Sequence, residues 1–512
     1  MGRKHVDSRG IRRRIAAFCA LAVGLSGGFV VSGTPAQAFG PADHALFWND
    51  VLLRTIRTVG GAPGPIARAG AMMHGAMYDA ANAVACLDTT PITGAPDQEP
   101  CIGAFYSSLY IPPGDAVPIT ETAIDHAAYG VLDELYPTLD FSADLAAAQA
   151  GAPTGAGQAE GVRYGQAAAA AMVQARATDG SGNTTPYVPG TNPGDWRPTD
   201  TRPAATPNWG LVTPFTLTSG AQFRPPLPGG FSRMRDILSS PAYAQQLNEV
   251  KQLGSAASAT RTADQTEQAW FWANDLDRTY KPPGQLFAHT REVSDDRGLD
   301  QRANLRLLAL VAFAMADAGI AAWDAKYDTA IDLWRPESAV RLADTDYNAA
   351  TTKDPSWLPL SANEDGVHFS PPFPAYVSGH ATFAGAWAAV MRAYFGTDAV
   401  TFTGGTEDPH ALGVTRTFTS FSAAATENAR SRIYLGVHYQ WDADFGLSTG
   451  TKVGDQAATR LAPIESWLVE SSGHTYTACQ DRADQLAASQ GKYDYYQCVY
   501  RAGSGTYDLL VY

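Results

Sequence analysis

The sequence is poor in cysteine, in basic residues and, beyond its first 38 residues, in long apolar runs. Its five cysteines in 512 residues include no pair at CxxC spacing, which argues against a cysteine metal site. Lys and Arg number 37 against 51 Asp and Glu, for a net charge of -14. So acidic a chain is poorly suited to binding nucleic acid or an anionic membrane. After the N-terminal segment, no unbroken apolar run reaches the ~18 residues of a membrane-spanning helix.

The N-terminus has the pattern of an export signal. A basic stretch runs to Arg14, an apolar stretch follows from Ile15 to about Val31, and Ala36-Gln37-Ala38 is a small-residue cleavage site. A single membrane anchor is the alternative interpretation of the same segment. We expect cleavage after residue 38, a soluble mature protein without a membrane segment, and a secreted or extracytoplasmic location.

Four cysteines remain after removal of the signal, and an even number in an exported protein favours disulfides. Their proximity in sequence predicts Cys86–Cys101 and Cys479–Cys498, although three pairings are possible.

Helical periodicity dominates the rest of the chain, and strand signals are few, so we predict an all-α fold of helical bundles with long Pro/Gly-rich loops. The most apolar helix is Asp300–Lys326, which should be central because it is apolar nearly all round. The predicted organisation is an export signal (1–38), an N-terminal helical region (39–180), a Pro/Gly-rich loop segment with interspersed aromatics (181–235), a helical domain carrying an oxyanion site (236–465) and a C-terminal tail with a disulfide (466–512).

The stretch from Ser431 to Asp442 carries the clearest chemical pattern. Arg432 precedes His438 by six residues, and Asp442 follows it by four. On a helix, the i, i+4 spacing would place the carboxylate beside the imidazole and fix its tautomer. The guanidinium fork suits a tetrahedral oxyanion. This stretch therefore predicts a phosphate-like site on the last core helix.

Two further segments contain the remaining groups that such a site needs. One carries Lys326 and Arg335-Pro336, which would supply cations, and the other carries Ser378-Gly379-His380. The Ser378 hydroxyl and the Gly379 N–H would donate to single oxygens. Two histidines at one site divide the work between ligation or attack and proton transfer.

Together these segments resemble the superfamily of vanadium-dependent haloperoxidases, type 2 phosphatidic acid phosphatases and bacterial acid phosphatases, and in detail its chloroperoxidase-like branch. Arg335 lies 43 residues before Ser378, and His380 lies 51 before Ser431. The resemblance implies that His438 is the axial ligand of vanadate or a phosphorylated nucleophile, oriented by Asp442, and that His380 is the acid–base residue. The oxyanion-binding residues it implies are Lys326, Arg335, Ser378, Gly379 and Arg432.

Two aromatic residues bear on the choice within the superfamily. Trp323 lies three residues before Lys326, and Phe373 lies five before Ser378. The resemblance implies that this pair lines a halide pocket, where an apolar wall would desolvate the anion. The sequence departs from the pattern of this superfamily at Lys326. The lysine lies nine residues before Arg335, whereas the usual separation in the superfamily is seven. Nine residues turn 900° on a helix and reach its opposite face, so the chain must leave helix between the two.

The function implied is that of a secreted vanadate-dependent haloperoxidase, which uses hydrogen peroxide to oxidise halide to a hypohalous species that halogenates an organic acceptor. The alternative is a vanadate-free acid phosphatase acting on phosphomonoesters through a phosphohistidine at the same site. A third possibility is a secreted binding protein that keeps the fold without the activity. Lys326 pointing away from Arg335 would favour that reading.

Overall fold

The fold is mainly helical, as predicted. The computed structural model describes residues 41–86, 116–461, 468–488, 496–501 and 506–511, together with residues 102–103, 106–107, 111 and 114. The helices are α1 His44–Val59, α2 Pro63–Ala85, α3 Thr120–Leu135, α4 Ser142–Gln149, α5 Gly157–Arg176, α6 Met234–Leu238, α7 Pro241–Leu253, α8 Ala263–Phe271, α9 Lys281–Arg297, α10 Gln301–Tyr327, α11 Pro336–Arg341, α12 Gly379–Phe395, α13 Phe421–Tyr434, α14 Gln440–Ala458 and α15 Tyr476–Ala488.

The strands are short and lie outside the bundles. They are β1 Phe402–Gly405, β2 Thr415–Phe418, β3 Leu468–His474, β4 Tyr496–Arg501 and β5 Thr506–Val511. Strands β1 and β2 form an antiparallel hairpin. The other three form an antiparallel sheet in the order β3-β5-β4, against which α15 packs.

Helix α10 is the central element of the fold. It begins at the N-cap Asp300, whose carboxylate accepts from Ala303 N at 2.8 Å. It packs against α2 on one side and against α12 and α14 on the other. By length and composition α10 could cross a membrane, yet 94% of its most apolar stretch is buried inside the protein, as in a core helix.

The first bundle packs α2, α3 and α5 closely together. A Cβ on Gly165 of α5 would lie 2.4 Å from the carbonyl oxygen of Ala123 of α3, so the backbones of α3 and α5 are in direct contact. On α3, the buried Asp125 accepts from Trp48 Nε1 at 2.8 Å and lies 2.7 Å from His44 Nδ1. These contacts fasten α1 to the bundle.

The second bundle, formed by α10, α12, α13 and α14, carries the predicted site. Gly446, Gly450 and Gly454 recur every four residues along α14, where it meets α12. A Cβ on Gly450 would lie 2.1 Å from the Thr382 carbonyl oxygen, and one on Gly454 would lie 2.3 Å from that of Ala386. The glycines therefore set the separation of the two helices.

The Pro/Gly-rich segment packs against the second bundle through backbone hydrogen bonds. Trp196 N donates to Asp332 O, and Trp334 N donates to Gly194 O, both at 2.8 Å. Farther along, the buried Asp317 carboxylate accepts from Phe215 N at 2.6 Å and from other donors of that turn. These bonds anchor the loop to α10 and to the chain just after it.

The C-terminal region is more regular than a tail, because α15 and the sheet occupy most of its described residues. The predicted export signal lies outside the described residues. So do Cys101 and the side chain of Cys498, and the disulfide pairing therefore stays a prediction, as do the domain boundaries.

The contact between α12 and α14 can be tested by Gly450→Ala. The added methyl would meet backbone rather than a flexible side chain. We therefore expect the free energy of unfolding to fall by about 1–3 kcal/mol, the range for overpacking a close-packed core. The apparent unfolding temperature, followed by circular dichroism, should fall. Gly182→Ala is the matched control, since a Cβ there meets nothing within 4 Å, and its effect should stay within about 0.5 kcal/mol. Equal unfolding temperatures for the two variants would contradict this account.

Candidate functional site

The structure brings the three predicted segments to one buried place in the second bundle. Lys326 lies in the last turn of α10, and Arg335 is the N-cap of α11. Ser378 is the N-cap of α12, and Arg432 lies in the last turn of α13. Ser378 N donates to the Asp442 carbonyl at 2.9 Å, which joins the second and third segments directly.

The nine-residue separation of Lys326 and Arg335 is accommodated because α10 ends at Tyr327, one residue after the lysine. The intervening chain leaves helix and returns as α11 at Pro336. Lys326 is fully buried, and its ammonium lies 5.0 Å from the centre of the Phe373 ring, above which the Arg335 guanidinium also lies. The lysine and the arginine therefore share one aromatic neighbour.

Lys326 binds the loop that precedes Ser378. Its ammonium donates to the Pro374 carbonyl at 2.7 Å, to that of Ala375 at 3.3 Å and to that of Val377. An ammonium has three N–H donors, so all of them are engaged by backbone. Burial and the neighbouring Arg335 charge lower the pKa of Lys326 well below its usual value. In this arrangement the lysine positions the loop rather than presenting a free donor.

The prediction that a helix contains both His438 and Asp442 is wrong. Helix α13 ends at Tyr434, α14 begins at Gln440, and His438 lies in the connection. Gly436 turns the chain there with φ 82°, and a Cβ on it would lie 2.3 Å from the Gly254 carbonyl oxygen. Asp442, in the first turn of α14, reaches back to accept from Tyr439 N at 3.1 Å. The i, i+4 contact therefore arises from a helix cap.

The His438 ring is held as a neutral imidazole with a defined tautomer. Its Nδ1 lies 2.9 Å from Asp442 Oδ2, and its Nε2 lies 3.0 Å from Arg335 Nη1. A guanidinium only donates, so Nε2 carries the lone pair and Nδ1–H donates to the carboxylate. Burial, followed by the charges of Arg335 and Lys326, lowers the pKa of His438 well below its usual value. Nε2 thus carries a lone pair that now accepts from Arg335, and an electrophilic centre would have to displace this hydrogen bond.

Two buried arginines each keep a donor without a partner among the described residues. Arg335 donates from Nε to the Phe373 carbonyl and from Nη1 to the Val437 carbonyl, both at 2.7 Å, and its Nη2 is unpaired. Arg432 donates from Nη2 to Asp275 at 2.7 Å, and its Nε is unpaired. Burial lowers the pKa of Arg335 to about 9, so it remains charged at neutral pH. Buried, charged and unpaired donors fit an anion.

His380 is the second residue of α12 and lines the same small cavity as His438 and Arg432. Its Nε2 lies 3.0 Å from the Ala273 carbonyl oxygen, so this nitrogen carries the proton and Nδ1 the lone pair. Burial and then the Arg432 charge lower the pKa of His380 to about 4. A neutral ring with one free lone pair can accept a proton.

Asp275 is a site residue that the sequence did not reveal. It pairs with Arg432, and its other oxygen lies 4.0 Å from His380 Nε2. Burial alone would raise the pKa of Asp275, but the charge and the hydrogen bond of Arg432 outweigh it and lower that pKa. It lies in a loop after α8, about 50 residues before the first recognised segment, and no spacing connects it to the others.

A small inner cavity lies where these groups converge. Its volume is about 30 Å³, and its lining includes His438, His380, Arg432, Gly379 and the aromatic pair Trp323 and Phe373. That exceeds the ~10–15 Å³ minimum for holding one water. The ring centres of Trp323 and Phe373 are 4.9 Å apart, and together the rings form an apolar wall.

Comparison with known proteins identifies similar chains. Residues 306–464 match the family model described as the VCPO second helical-bundle domain. Vanadium chloroperoxidase from Curvularia inaequalis is 32% identical over 277 residues, covering 43% of this chain and 43% of that protein. The chain thus spans less than half of the length of this curated relative.

Solved structures share the fold over most of the chain. A bacterial vanadium-dependent iodoperoxidase superposes with a TM-score of 0.65 at 24% identity, covering 82% of this chain and 96% of that one. A holo-type bacterial vanadium-dependent chloroperoxidase gives 0.57 at 17% identity, covering 83% and 94%. The second bundle thus matches the model of the VCPO second helical-bundle domain, and these likenesses show that the chain has the all-α fold of the vanadium-dependent haloperoxidases.

Proposed function

We propose that the protein is a secreted vanadate-dependent haloperoxidase that uses hydrogen peroxide to oxidise halide to a hypohalous species. The observation that carries the proposal is the pair of unpaired arginine donors, Arg335 Nη2 and Arg432 Nε, buried beside the lone pair of a neutral His438. An oxyanion whose central atom accepts a nitrogen ligand would satisfy the two unpaired donors and would take the place of Arg335 Nη1 at the His438 lone pair. The relatives named above are haloperoxidases, which does not favour the phosphatase alternative.

Vanadate fits the chemistry of these donors. His438 Nε2 would bind the metal, while the two arginines, the Ser378 hydroxyl and the Gly379 N–H would bind its oxygens. Gly379 is the first residue of α12, where the helix dipole favours an anion. A Cβ on Gly379 would lie 3.3 Å from the Trp323 ring, so the absence of a side chain at Gly379 leaves room for an anion near its N–H. When bound, vanadate would act as a Lewis acid towards peroxide without changing its oxidation state.

The protein's own residues would control protons and water. Asp442 holds the Nδ1 proton of His438 and thereby directs Nε2 at the cavity. His380 would accept a peroxide proton at Nδ1, since its Nε2–H is committed to the Ala273 carbonyl. Trp323 and Phe373 would keep bulk water from the halide, and the Trp323 ring is fixed by its Nε1–H donating to the Ala205 carbonyl at 3.1 Å.

Two assays on purified protein test the proposal. With vanadate, bromide and peroxide, we expect bromination of phenol red, and its rate should depend on each of the three additions. His438→Ala should abolish it, because the nitrogen ligand is lost. His126→Gln, on α3 and outside the site, should retain it.

The phosphatase alternative gives the opposite pattern. Release of p-nitrophenol from its phosphate by vanadate-free protein, together with no bromination by the same folded protein after loading with vanadate, would overturn the haloperoxidase proposal. Full bromination by His438→Ala would overturn the site assignment itself.

The lowered pKa of His380 gives a second test, by NMR of histidine labelled at carbon ε1. In the anion-free protein, the ring should be neutral above its pKa of about 4 and gain a proton as the pH falls through that value. Inorganic phosphate in the cavity would offset the Arg432 charge that helps to lower this pKa. We therefore expect phosphate to raise the pKa of His380 and to bind more tightly as the pH falls. The His380→Gln spectrum assigns the signal.

An unshifted His380 pKa at saturating phosphate would contradict the predicted geometry. So would an ordinary histidine pKa in the anion-free protein.

A further inference from the structure

The loop between α8 and α9 supplies two contacts to the proposed oxyanion site, and they come from the residues on either side of Asn274. The Ala273 carbonyl accepts from His380 Nε2 at 3.0 Å. The Asp275 carboxylate accepts from Arg432 Nη2 at 2.7 Å. An error of about 1 Å at either contact would misplace a proton acceptor or a cation of the site. The conformation of Asn274 therefore decides where both partners lie.

Asn274 has a left-handed backbone conformation, with a φ of 44°. Glycine adopts this conformation freely and asparagine tolerates it, whereas in alanine the Cβ comes too close to the following carbonyl oxygen. Arg278 and Lys281, farther along the same stretch, also have positive φ values, of 68° and 58°. Three such residues so close together persist only where the surrounding contacts fix the backbone.

The Asn274 side chain is fully buried and is fixed by hydrogen bonds. Its Nδ2 donates to the Phe271 carbonyl at 3.1 Å and to Thr406 Oγ1 at 3.2 Å. Its Oδ1 accepts from Glu407 N at 3.1 Å. Thr406 and Glu407 belong to the segment formed by residues 405–408, which begins at the last residue of β1. The side chain therefore ties the loop to this segment.

The main chain of Asn274 is fixed as well. Its N–H donates to Asp408 Oδ2 at 3.2 Å. Asp408 is buried, and its other oxygen accepts from His410 N and lies equally close to His410 Nδ1, both at 3.0 Å. The Asn274 N–H and the Ala273 carbonyl belong to one planar trans peptide group, so they point in opposite directions. By holding the N–H, Asp408 therefore aims the carbonyl at His380.

The other end of the loop is bonded to the same segment. Tyr280 N donates to Glu407 Oε2 at 2.8 Å, and the Tyr280 hydroxyl donates to the Gly405 carbonyl at 3.1 Å. Glu407 is fixed in turn by Arg57 of α1, whose Nε and Nη2 donate to its Oε1 at 2.9 and 2.6 Å. Both ends of the loop are therefore bonded to the 405–408 segment, which α1 holds in place.

We propose that Asn274 is a positioning residue of the oxyanion site, which acts by holding the Ala273 carbonyl on His380 and the Asp275 carboxylate on Arg432. The inference rests on the proposed function, because it assigns Asn274 to the same site. Asparagine suits this position because it tolerates the left-handed backbone and also supplies side-chain hydrogen bonds, whereas glycine would supply only the first. Without these bonds the loop would relax, and the Nε2–H of His380 would lose its fixed acceptor.

The tautomer of His380 reports this positioning directly, by 15N NMR of histidine-labelled, vanadate-free protein at pH 7 in buffer without phosphate. In the wild type, Nε2 should be protonated and Nδ1 should not, which gives two widely separated 15N signals. In Asn274→Ala, a ring without a fixed acceptor should populate both tautomers, so the two signals should move towards each other. Asn274→Gly, which keeps the backbone conformation, should give signals between those of the wild type and of Asn274→Ala.

Bromination kinetics give the second readout. Asn274→Ala should lower kcat about tenfold to hundredfold, the effect of displacing a proton acceptor by roughly 1 Å. The KM for bromide should stay within about twofold, because Trp323 and Phe373 are left in place. Asn274→Gly should recover part of the lost kcat.

Gly165→Ala is the matched control for lost stability, since a Cβ there would strain the contact between α3 and α5 in the first bundle. It should unfold at a lower temperature and keep the wild-type His380 signals and kcat. Thr406→Val removes only the hydroxyl that bonds the Asn274 side chain. It should shift the His380 signals in the same direction as Asn274→Ala, and it replaces that variant if circular dichroism shows Asn274→Ala to be unfolded.

Wild-type His380 signals in folded Asn274→Ala would overturn the inference, as would wild-type signals in Thr406→Val where that variant replaces it. An equal loss of kcat in Gly165→Ala would also overturn it, because Asn274 would then contribute only to stability. Shifted His380 signals in Asn274→Ala, when the wild type brominates nothing, would refute the proposed function while the positioning role stands.

Discussion

Two guanidinium groups, those of Arg335 and Arg432, are completely buried at the centre of the second bundle, and the site is built around this constraint. A buried charge is costly unless it is paired and hydrogen-bonded. The protein pairs Arg432 with Asp275 and directs Arg335 to backbone carbonyls and to His438, yet it leaves one donor on each arginine unsatisfied. That residual donor capacity fits the oxyanion proposed above.

The rest of the fold maintains this arrangement. The glycines along α14 bring α12 close enough for Ser378 N to donate to the Asp442 carbonyl, which ties the loop before α12 to the cap that orients His438. The Lys326 ammonium fixes the same loop by donating to three of its carbonyl oxygens. The positions of both histidines are therefore set by backbone contacts, and the cavity between them is largely preorganised, which is the condition for electrostatic catalysis.

Much of this could be predicted from the sequence. Because the chain has few basic residues, the short segments in which they stand near small residues and histidines are easy to recognise. Arg335, Ser378, His380, Arg432 and His438 all meet, and the helical fold follows from the periodicity. Asp275 could not be predicted, since its partnership with Arg432 depends on a loop brought near only by tertiary packing. The place of His438 outside a helix was missed because an i, i+4 contact is compatible with a helix cap as well as with a helix face. The carbonyl partners of Lys326 likewise depend on the path of a loop, which spacing does not encode.

The central claim is that His438 Nε2 and the two unpaired arginine donors form one oxyanion site. A crystal structure of the protein soaked in orthovanadate, with anomalous scattering to locate vanadium, tests it most directly. The account predicts vanadium within bonding distance of His438 Nε2, with its oxygens within hydrogen-bond distance of Arg335 Nη2 and Arg432 Nε. Vanadium bound elsewhere, or an inner cavity without vanadium at saturating vanadate, would contradict it.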